Sequence, residues 1–595
     1  MGCSSWWLKT KSQAVPSLLR RMIVVLPTLL LLGCAGASAQ RTICGKVVGD
    51  RNPLSDAVVR LQATENQTTT DEGGRFTLTV PRSDDAVFVT AWSPGHYIAG
   101  EEVDPGQDEI EIHLHAHAGE DHADYEWLPS EHHPGQGEDH GCAECHSSEG
   151  TDLAYTLPFD EWLQDAHAQA ASNPRFLSMY AGTDLAGNRS PDTRYAVSRD
   201  YGSFPLPPDP NEPYFGPGYK LDFPEAAGNC GACHTPAAAV NDPYGIDPTT
   251  LSGRTADGMP CDFCHKIWDV RLDPDTGLPF PNVPGVLSFE FRRPPEGHQF
   301  FAGPLDDVAP GEDTFSPVQT QSEYCAPCHF GVFWDTVIYN AFGEWLVSPY
   351  SDPETGQTCQ DCHMPPLGNP RFAQPEVGGL ERDPDTIFSH RMPGALDEAL
   401  LQSAVSLAVE AKIEGREVIV SATITNDQTG HHVPTDSPLR QVILLVEVTD
   451  AQGHRLAQLE GPTVPQWGGV GDPDEGYYAG MPGSAYAKIL EEVWTGVSPS
   501  GAYWNPTRVL SDNRIPAMER VTSRYVFQLP EAATTSGVSV DVRLLFHRAF
   551  IELMDQKGWQ VPDMLMERET MVLGVLKDGP GKQPLDGATA SEREL

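Results

Sequence analysis

The pattern Cys-x-x-Cys-His occurs five times in this chain, and no other feature limits its fold so strongly. It reads Cys142-Ala-Glu-Cys145-His146, Cys230-Gly-Ala-Cys233-His234, Cys261-Asp-Phe-Cys264-His265, Cys325-Ala-Pro-Cys328-His329 and Cys359-Gln-Asp-Cys362-His363. Two thiols three positions apart can form thioethers with the two vinyl groups of one haem. The histidine that follows is tethered beside the macrocycle and becomes the proximal ligand of its iron. Structural zinc and a disulfide framework are the competing uses of paired cysteines. Neither requires a histidine directly after every second cysteine, so the spacing predicts five covalent haems c. Haems that fill a core replace regular secondary structure, and the 55 glycines and 53 prolines among 595 residues agree with a loop-rich centre.

The N-terminus predicts export. Lys9, Lys11, Arg20 and Arg21 precede the apolar run 22–32, the charged region and hydrophobic region of a signal peptide spanning 1–39. Two cleavage rules compete. Leu31-Leu32-Gly33-Cys34 resembles a bacterial lipobox, which would make Cys34 a lipidated first residue, and this is the favoured reading. Ala37-Ser38-Ala39 fits ordinary cleavage before Gln40. Either route delivers the chain to the periplasm or the outer-membrane or cell surface of a bacterium, where c-type haem is attached. The formal charge of −45 argues against nucleic acid and anionic lipid as partners. A neutral or basic redox protein is expected instead, with membrane association only through the lipid anchor.

Residues 41–115 carry no haem motif. Ile43-Cys44-Gly45-Lys46-Val47-Val48, Ala57-Val58-Val59-Arg60-Leu61, Arg75-Phe76-Thr77-Leu78-Thr79-Val80 and Val87-Phe88-Val89 alternate between Gly, Pro and Asp turns. That is the pattern of a small antiparallel β-sandwich, with Cys44 as a small buried residue. Ala57-Val58-Val59, Thr70-Asp71-Glu72-Gly73-Gly74-Arg75-Phe76 and Ser93-Pro94-Gly95-His96-Tyr97 resemble the carboxypeptidase regulatory-like domain. The resemblance implies a docking or structural module without catalysis. A His- and acid-rich linker follows at 116–141. His113, His115, His117, His122, His132, His133 and His140 lie in or beside it, and such a tract can hold a divalent metal, supply distal haem ligands or remain a solvated linker.

The haem region is placed at 142–400. Phe159, Trp162, Leu163, Ala166 and Ala170 form one helical stripe, with His167 at its edge as a candidate axial ligand. Trp162-x-x-x-x-His167, Met259-Pro-Cys261-Asp-Phe-Cys264-His265-Lys266, Glu344-Trp345-Leu-Val-Ser348-Pro349 and Gly356-Gln-Thr-Cys359-Gln-Asp-Cys362-His363-Met364-Pro365 resemble exported multihaem cytochromes c of the cytochrome c-554 type. The resemblance implies short helices and loops around closely packed haems, and electron transfer as the activity. The second and third motifs are 31 residues apart and the fourth and fifth 34, which suits two stacked haem pairs. The first haem would then join through the helix carrying His167. Candidate distal ligands are His140, His167, His298, His390, His431 and His432.

Beyond 400 the alternation returns. Leu407–Ile413, 417–425, 441–449, 524–529 and 538–544 predict a second, larger β-sandwich over 401–577, followed by a disordered tail at 578–595. Its turn Gly430-His431-His432-Val433-Pro434-Thr435 resembles a loop appended to some multihaem cytochromes, so that one of the two histidines could reach an iron. The expected molecule is thus an exported pentahaem electron carrier between two β-sandwiches, with no catalytic residue. The alternatives are a multihaem reductase or oxidase of a small nitrogen or sulfur compound, and a surface-assembled docking cytochrome.

Overall fold

A computed structural model describes residues 40–131, 141–309 and 311–574. The expected signal peptide with Cys34, the histidines His132, His133 and His140, and the tail lie outside the described residues. The chain forms an N-terminal β-sandwich, a central region of loops and short helices, and a C-terminal β-sandwich.

The N-terminal sandwich contains β1 (Gln40–Val48), β2 (Val58–Leu61), β3 (Gln67–Thr69), β4 (Arg75–Pro81), β5 (Val87–Trp92), β6 (Ala99–Val103) and β7 (Glu109–His113). They form two sheets, ordered β4-β1-β7 and β3-β2-β5-β6. Strict alternation in β4 turns Phe76, Leu78 and Val80 inward, onto Ile43, Val59 and Val89. The same period puts Ile43 inside and leaves Cys44 exposed, so the burial expected for Cys44 is wrong. The sandwich is also not purely antiparallel: β7 pairs with β1 in parallel. The module is docked on the centre. Arg60 makes a two-pronged contact with Asp306 at 2.8 and 3.0 Å. Asp307 accepts from the Ala63 N–H at 2.7 Å and from Arg382 at 2.8 Å.

In the centre, helices reach at most the eight residues of Pro174–Ala181 among the described residues. The helix expected over 158–170 stops at Trp162. Phe159 and Trp162 are buried, whereas Leu163 is 45 % exposed. The cause is Asp165, whose buried carboxylate turns back to accept the N–H of His167 at 3.1 Å and ends the helical register.

The C-terminal sandwich contains β8 (Ser406–Glu414), β9 (Glu417–Thr425), β10 (Gln441–Thr449), β11 (Ala457–Glu460), β12 (Gly483–Glu492), β13 (Thr507–Asp512), β14 (Arg520–Gln528), β15 (Val538–His547) and β16 (Met564–Leu573). Its sheets are ordered β8-β9-β14-β11 and β13-β12-β10-β15-β16. Val418, Val420, Val442, Leu444, Val540 and Val542 meet in the core between them. The outer face of β10 is covered as well, by Val464, Tyr478 and Trp467 against Ile443 and Leu445, which is why this strand reads as a continuous apolar run. The sandwich grips the centre through buried polar contacts. The fully buried Lys557 donates to the carbonyls of Ser178 and Thr183, each at 3.1 Å, and of Pro217. Trp504 Nε1 donates to Asp222 at 2.6 Å.

Candidate haem-binding site

Each motif folds as a single helical turn. The carbonyl of the first cysteine accepts the N–H of the histidine four residues on: 3.0 Å for His146 and His234, 3.1 Å for His265 and His329. The fifth motif is the helix Cys359–His363, capped by the Thr358 hydroxyl, which accepts from the Asp361 N–H at 3.2 Å. Residues at i, i+3 and i+4 share one face of such a turn, so both thiols and the imidazole point to the same side. All ten motif thiols are free and partly accessible.

The imidazoles are oriented through Nδ1. His146 donates to the Phe372 carbonyl at 2.7 Å, His265 to Ala302 at 2.7 Å and His363 to Pro393 at 2.8 Å. His431 uses the His432 carbonyl at 3.0 Å. A carbonyl only accepts, so the proton sits on Nδ1 and the lone pair on Nε2, the tautomer a metal ligand needs. Burial favours the neutral ring: it pushes His234, His363 and His390 down to about 4 and lowers His146, His265 and His431. His329 goes the other way. Burial opposes its charge, but the Asp436 carboxylate overcomes that and holds its pKa up.

Three motif histidines face a second histidine. The ring centres of His265 and His390 are 6.4 Å apart with planes 22° from parallel, and those of His363 and His431 are 6.3 Å apart at 21°. His167 and His329 are 6.2 Å apart at 79°. An iron with a nitrogen about 2 Å away on each side places two imidazole centres roughly 6 Å apart, so all three gaps have the width of one metal with two axial ligands. A structural zinc would instead need four converging side chains. Among the described residues no three His, Cys, Asp or Glu side chains converge on one point. The residues therefore fit haem and do not fit zinc.

The thiols show which motifs adjoin. Cys142 lies close to Cys261, Cys233 to Cys328 and Cys325 to Cys359. The first motif thus lies against the third, the second against the fourth, and the fourth against the fifth. The second and third motifs, expected as a pair, also adjoin: Ala232 of the second shares one apolar cluster with Phe263 and Cys264 of the third. His167, expected to join the first motif to the rest, faces the fourth.

The remaining sequence candidates lie elsewhere. His298 is 60 % exposed on its side chain and held by Glu312 at 2.7 Å, with no histidine ring opposite it among the described residues. His432 turns away from His431 toward Glu344, and its Nδ1 stands 3.7 Å from that carboxylate. No described histidine ring faces His146 or His234; Phe176 stacks flat on His234 at 3.8 Å. Three acidic residues escaped the sequence reading. Asp165 lies 2.6 Å from Nδ1 of His167, Asp436 lies 3.4 Å from Nδ1 of His329, and Glu344 bonds the loop bearing His431. The spacing Asp165-x-His167 was a usable local signal; the other two contacts are long-range.

No family model matches the chain, and no curated protein matches it. Among solved structures, the penta-heme cytochrome c552 of Thermochromatium tepidum aligns at 17 % identity and a TM-score of 0.47, covering 73 % of this chain and 97 % of that one. The Fcho1 Mu homology domain of Danio rerio, bound to an Eps15 peptide, aligns at 11 % identity and a TM-score of 0.12 over 29 % of this chain and 44 % of that one. Both likenesses are too weak to assign a fold or a cofactor. No helix among the described residues is long and apolar enough to cross a membrane.

Proposed function

We propose that the chain is an exported pentahaem c-type cytochrome that transfers electrons through closely spaced haems. The observation that carries this is the set of three imidazole pairs, each 6.2–6.4 Å apart and each containing the histidine of a Cys-x-x-Cys-His turn. Cys142, Cys145, Cys230, Cys233, Cys261, Cys264, Cys325, Cys328, Cys359 and Cys362 would hold the haems, with His146, His234, His265, His329 and His363 as proximal ligands. His390, His167 and His431 would be the second ligands of the third, fourth and fifth sites. His140 and the tract 132–140 precede the first motif directly and are proposed to serve it. Haem supplies one-electron redox chemistry, and two imidazoles on one iron leave no position for substrate. The protein's part is to fix ligands, spacing and burial. A neutral or basic redox protein is the proposed partner, the N-terminal sandwich the proposed docking module and Cys34 the proposed lipid anchor.

His234 favours a second reading. No described imidazole faces it, and an iron with an open position is what a reductase or oxidase of a small nitrogen or sulfur compound requires. Carbon monoxide separates the two. If the second iron too has a sixth ligand, as the carrier reading requires, the protein should carry five haems by intact mass and bind none of the gas when reduced, whereas His167→Ala should bind one equivalent. Stoichiometric binding by the wild type would overturn the carrier reading in favour of the reductase, and a haem-free protein would overturn both.

A further inference from the structure

We propose that Asp165 and Asp436 make the fourth haem site, between His167 and His329, the lowest in potential of the three bis-histidine sites. This rests on the axial pairing proposed above and adds a function to two carboxylates at its edge.

The three sites differ in what their imidazoles lean on. At the third and fifth sites the Nδ1 contacts of His265, His363 and His431 are all to backbone carbonyls. At the fourth both rings meet a carboxylate. Asp165 Oδ2 is 2.6 Å from His167 Nδ1, and the Asp165 side chain is 2 % exposed. Asp436 Oδ2 is 3.4 Å from His329 Nδ1, and its Oδ1 is buried without a hydrogen-bond partner. The shorter contact, 2.6 against 3.4 Å, makes Asp165 the stronger of the two.

A carboxylate attracts the Nδ1 proton and leaves the ring with imidazolate character, which raises its basicity as a ligand. Such a ligand stabilises ferric iron more than ferrous iron, and the site becomes harder to reduce. Loss of an outer-shell partner of this kind typically changes metal affinity about 10- to 100-fold. Where that falls on the oxidised state alone, each tenfold is about 59 mV for one electron. The location gives the difference a consequence. The fourth motif lies close to the second and the fifth, with Cys328 packed on the apolar cluster that holds Ala232, so the site is a junction. A low-potential step there would restrict electron passage between the two branches.

The geometry also supplies the label needed to test this. Planes 79° apart leave the two π-symmetry d orbitals of a low-spin ferric iron nearly equal in energy, whereas planes at 21–22° split them. The fourth site should therefore show the larger principal g value in electron paramagnetic resonance, apart from the rhombic signals of the third and fifth. The experiment is a redox titration of the full holoprotein followed by that resonance, on wild type, Asp165→Asn and Asp436→Asn. In the wild type the large-g signal should be the last of the three to vanish on reduction. Each variant should raise its midpoint, Asp165→Asn by at least one tenfold step, with the rhombic signals unmoved. Should Asp165→Asn fail to assemble, the more accessible Asp436 variant and the wild-type order decide. The proposal falls if the large-g signal is reduced with or before the others, if no assembled variant moves it, or if all signals move together. Failure of the underlying reading would look different: no large-g low-spin signal in a protein whose five haems are present.

Discussion

Replacing Glu344 by glutamine should both destabilise the C-terminal sandwich and loosen one axial ligand. The Glu344 side chain is 1 % exposed. Its Oε1 stands 2.6 Å from Arg514, whose side chain is 5 % exposed. Its Oε2 accepts from the Thr435 hydroxyl at 2.5 Å and from the His432 N–H at 3.1 Å. Every group around the carboxylate is a donor. An amide offers one acceptor oxygen, so one side must then face donor to donor. Breaking a buried ion pair from one side costs about 3–5 kcal/mol. Arg514 keeps Asp512 at 2.8 Å, which argues for the low end, about 3 kcal/mol. For a unit of this size that is a fall in melting temperature of roughly 6–12 °C. The loop affected carries His431, so the same variant should bind carbon monoxide at the fifth site in substoichiometric amount. Differential scanning calorimetry and the carbon monoxide difference spectrum of the reduced protein read the two effects. A melting temperature within about 2 °C of wild type, with an unchanged spectrum, would refute the reasoning.

Two further outcomes are expected. Lys557→Met leaves the carbonyls of Ser178, Thr183 and Pro217 without their shared donor and should cost about 3 kcal/mol or more, seen as a lowered denaturant midpoint at unchanged haem content; a midpoint equal to wild type would show the contact to be dispensable. Cys34→Ser should move the protein from the membrane to the soluble fraction, and a wild-type mature N-terminus found at Gln40 would exclude the anchor.

The five Cys-x-x-Cys-His turns were legible because the geometry is local: two thiols and an imidazole share one turn, and five residues suffice to say so. The partners of those imidazoles were only half legible. His167, His390 and His431 stood out as histidines in apolar or motif-region sequence, but which motif histidine each faces depends on long-range folding. His298 looked equivalent in sequence, yet Glu312 holds it at the surface. The helical stripe over 158–170 misled because Asp165 is itself buried in the service of His167, and a charged residue on the inner face broke the period. Among the strands, β11, β12, β13 and β16 were missed, two of them for a related reason: β13 and β16 are the two edges of the larger sheet and carry exposed, charged residues such as Arg508, Glu567, Arg568 and Glu569, as edge strands do.

The same contacts bear on why a loop-rich centre should be joined to sandwiches at all. Helical turns of four or five residues cannot hold an imidazole in place by themselves, since each is shorter than a stable isolated helix by a wide margin. Rigidity must be supplied from outside. The C-terminal sandwich supplies it directly: its loop 426–436 carries His431 and Asp436, and Asn426 pins that loop with bonds from its amide to the carbonyls of His431 at 2.8 Å and Ile515 at 2.9 Å. Lys488 on β12 reaches into the centre to the carbonyl of Ile338 at 3.2 Å. The N-terminal sandwich is held through Asp306, Asp307 and the Ile98–Asp313 backbone bond, and no histidine of its strands faces a motif. The two modules are therefore not equivalent. Removing the C-terminal sandwich would take away His431 and Asp436 along with the support, whereas the N-terminal sandwich meets the centre through contacts such as Trp92 on Phe315 and Thr314.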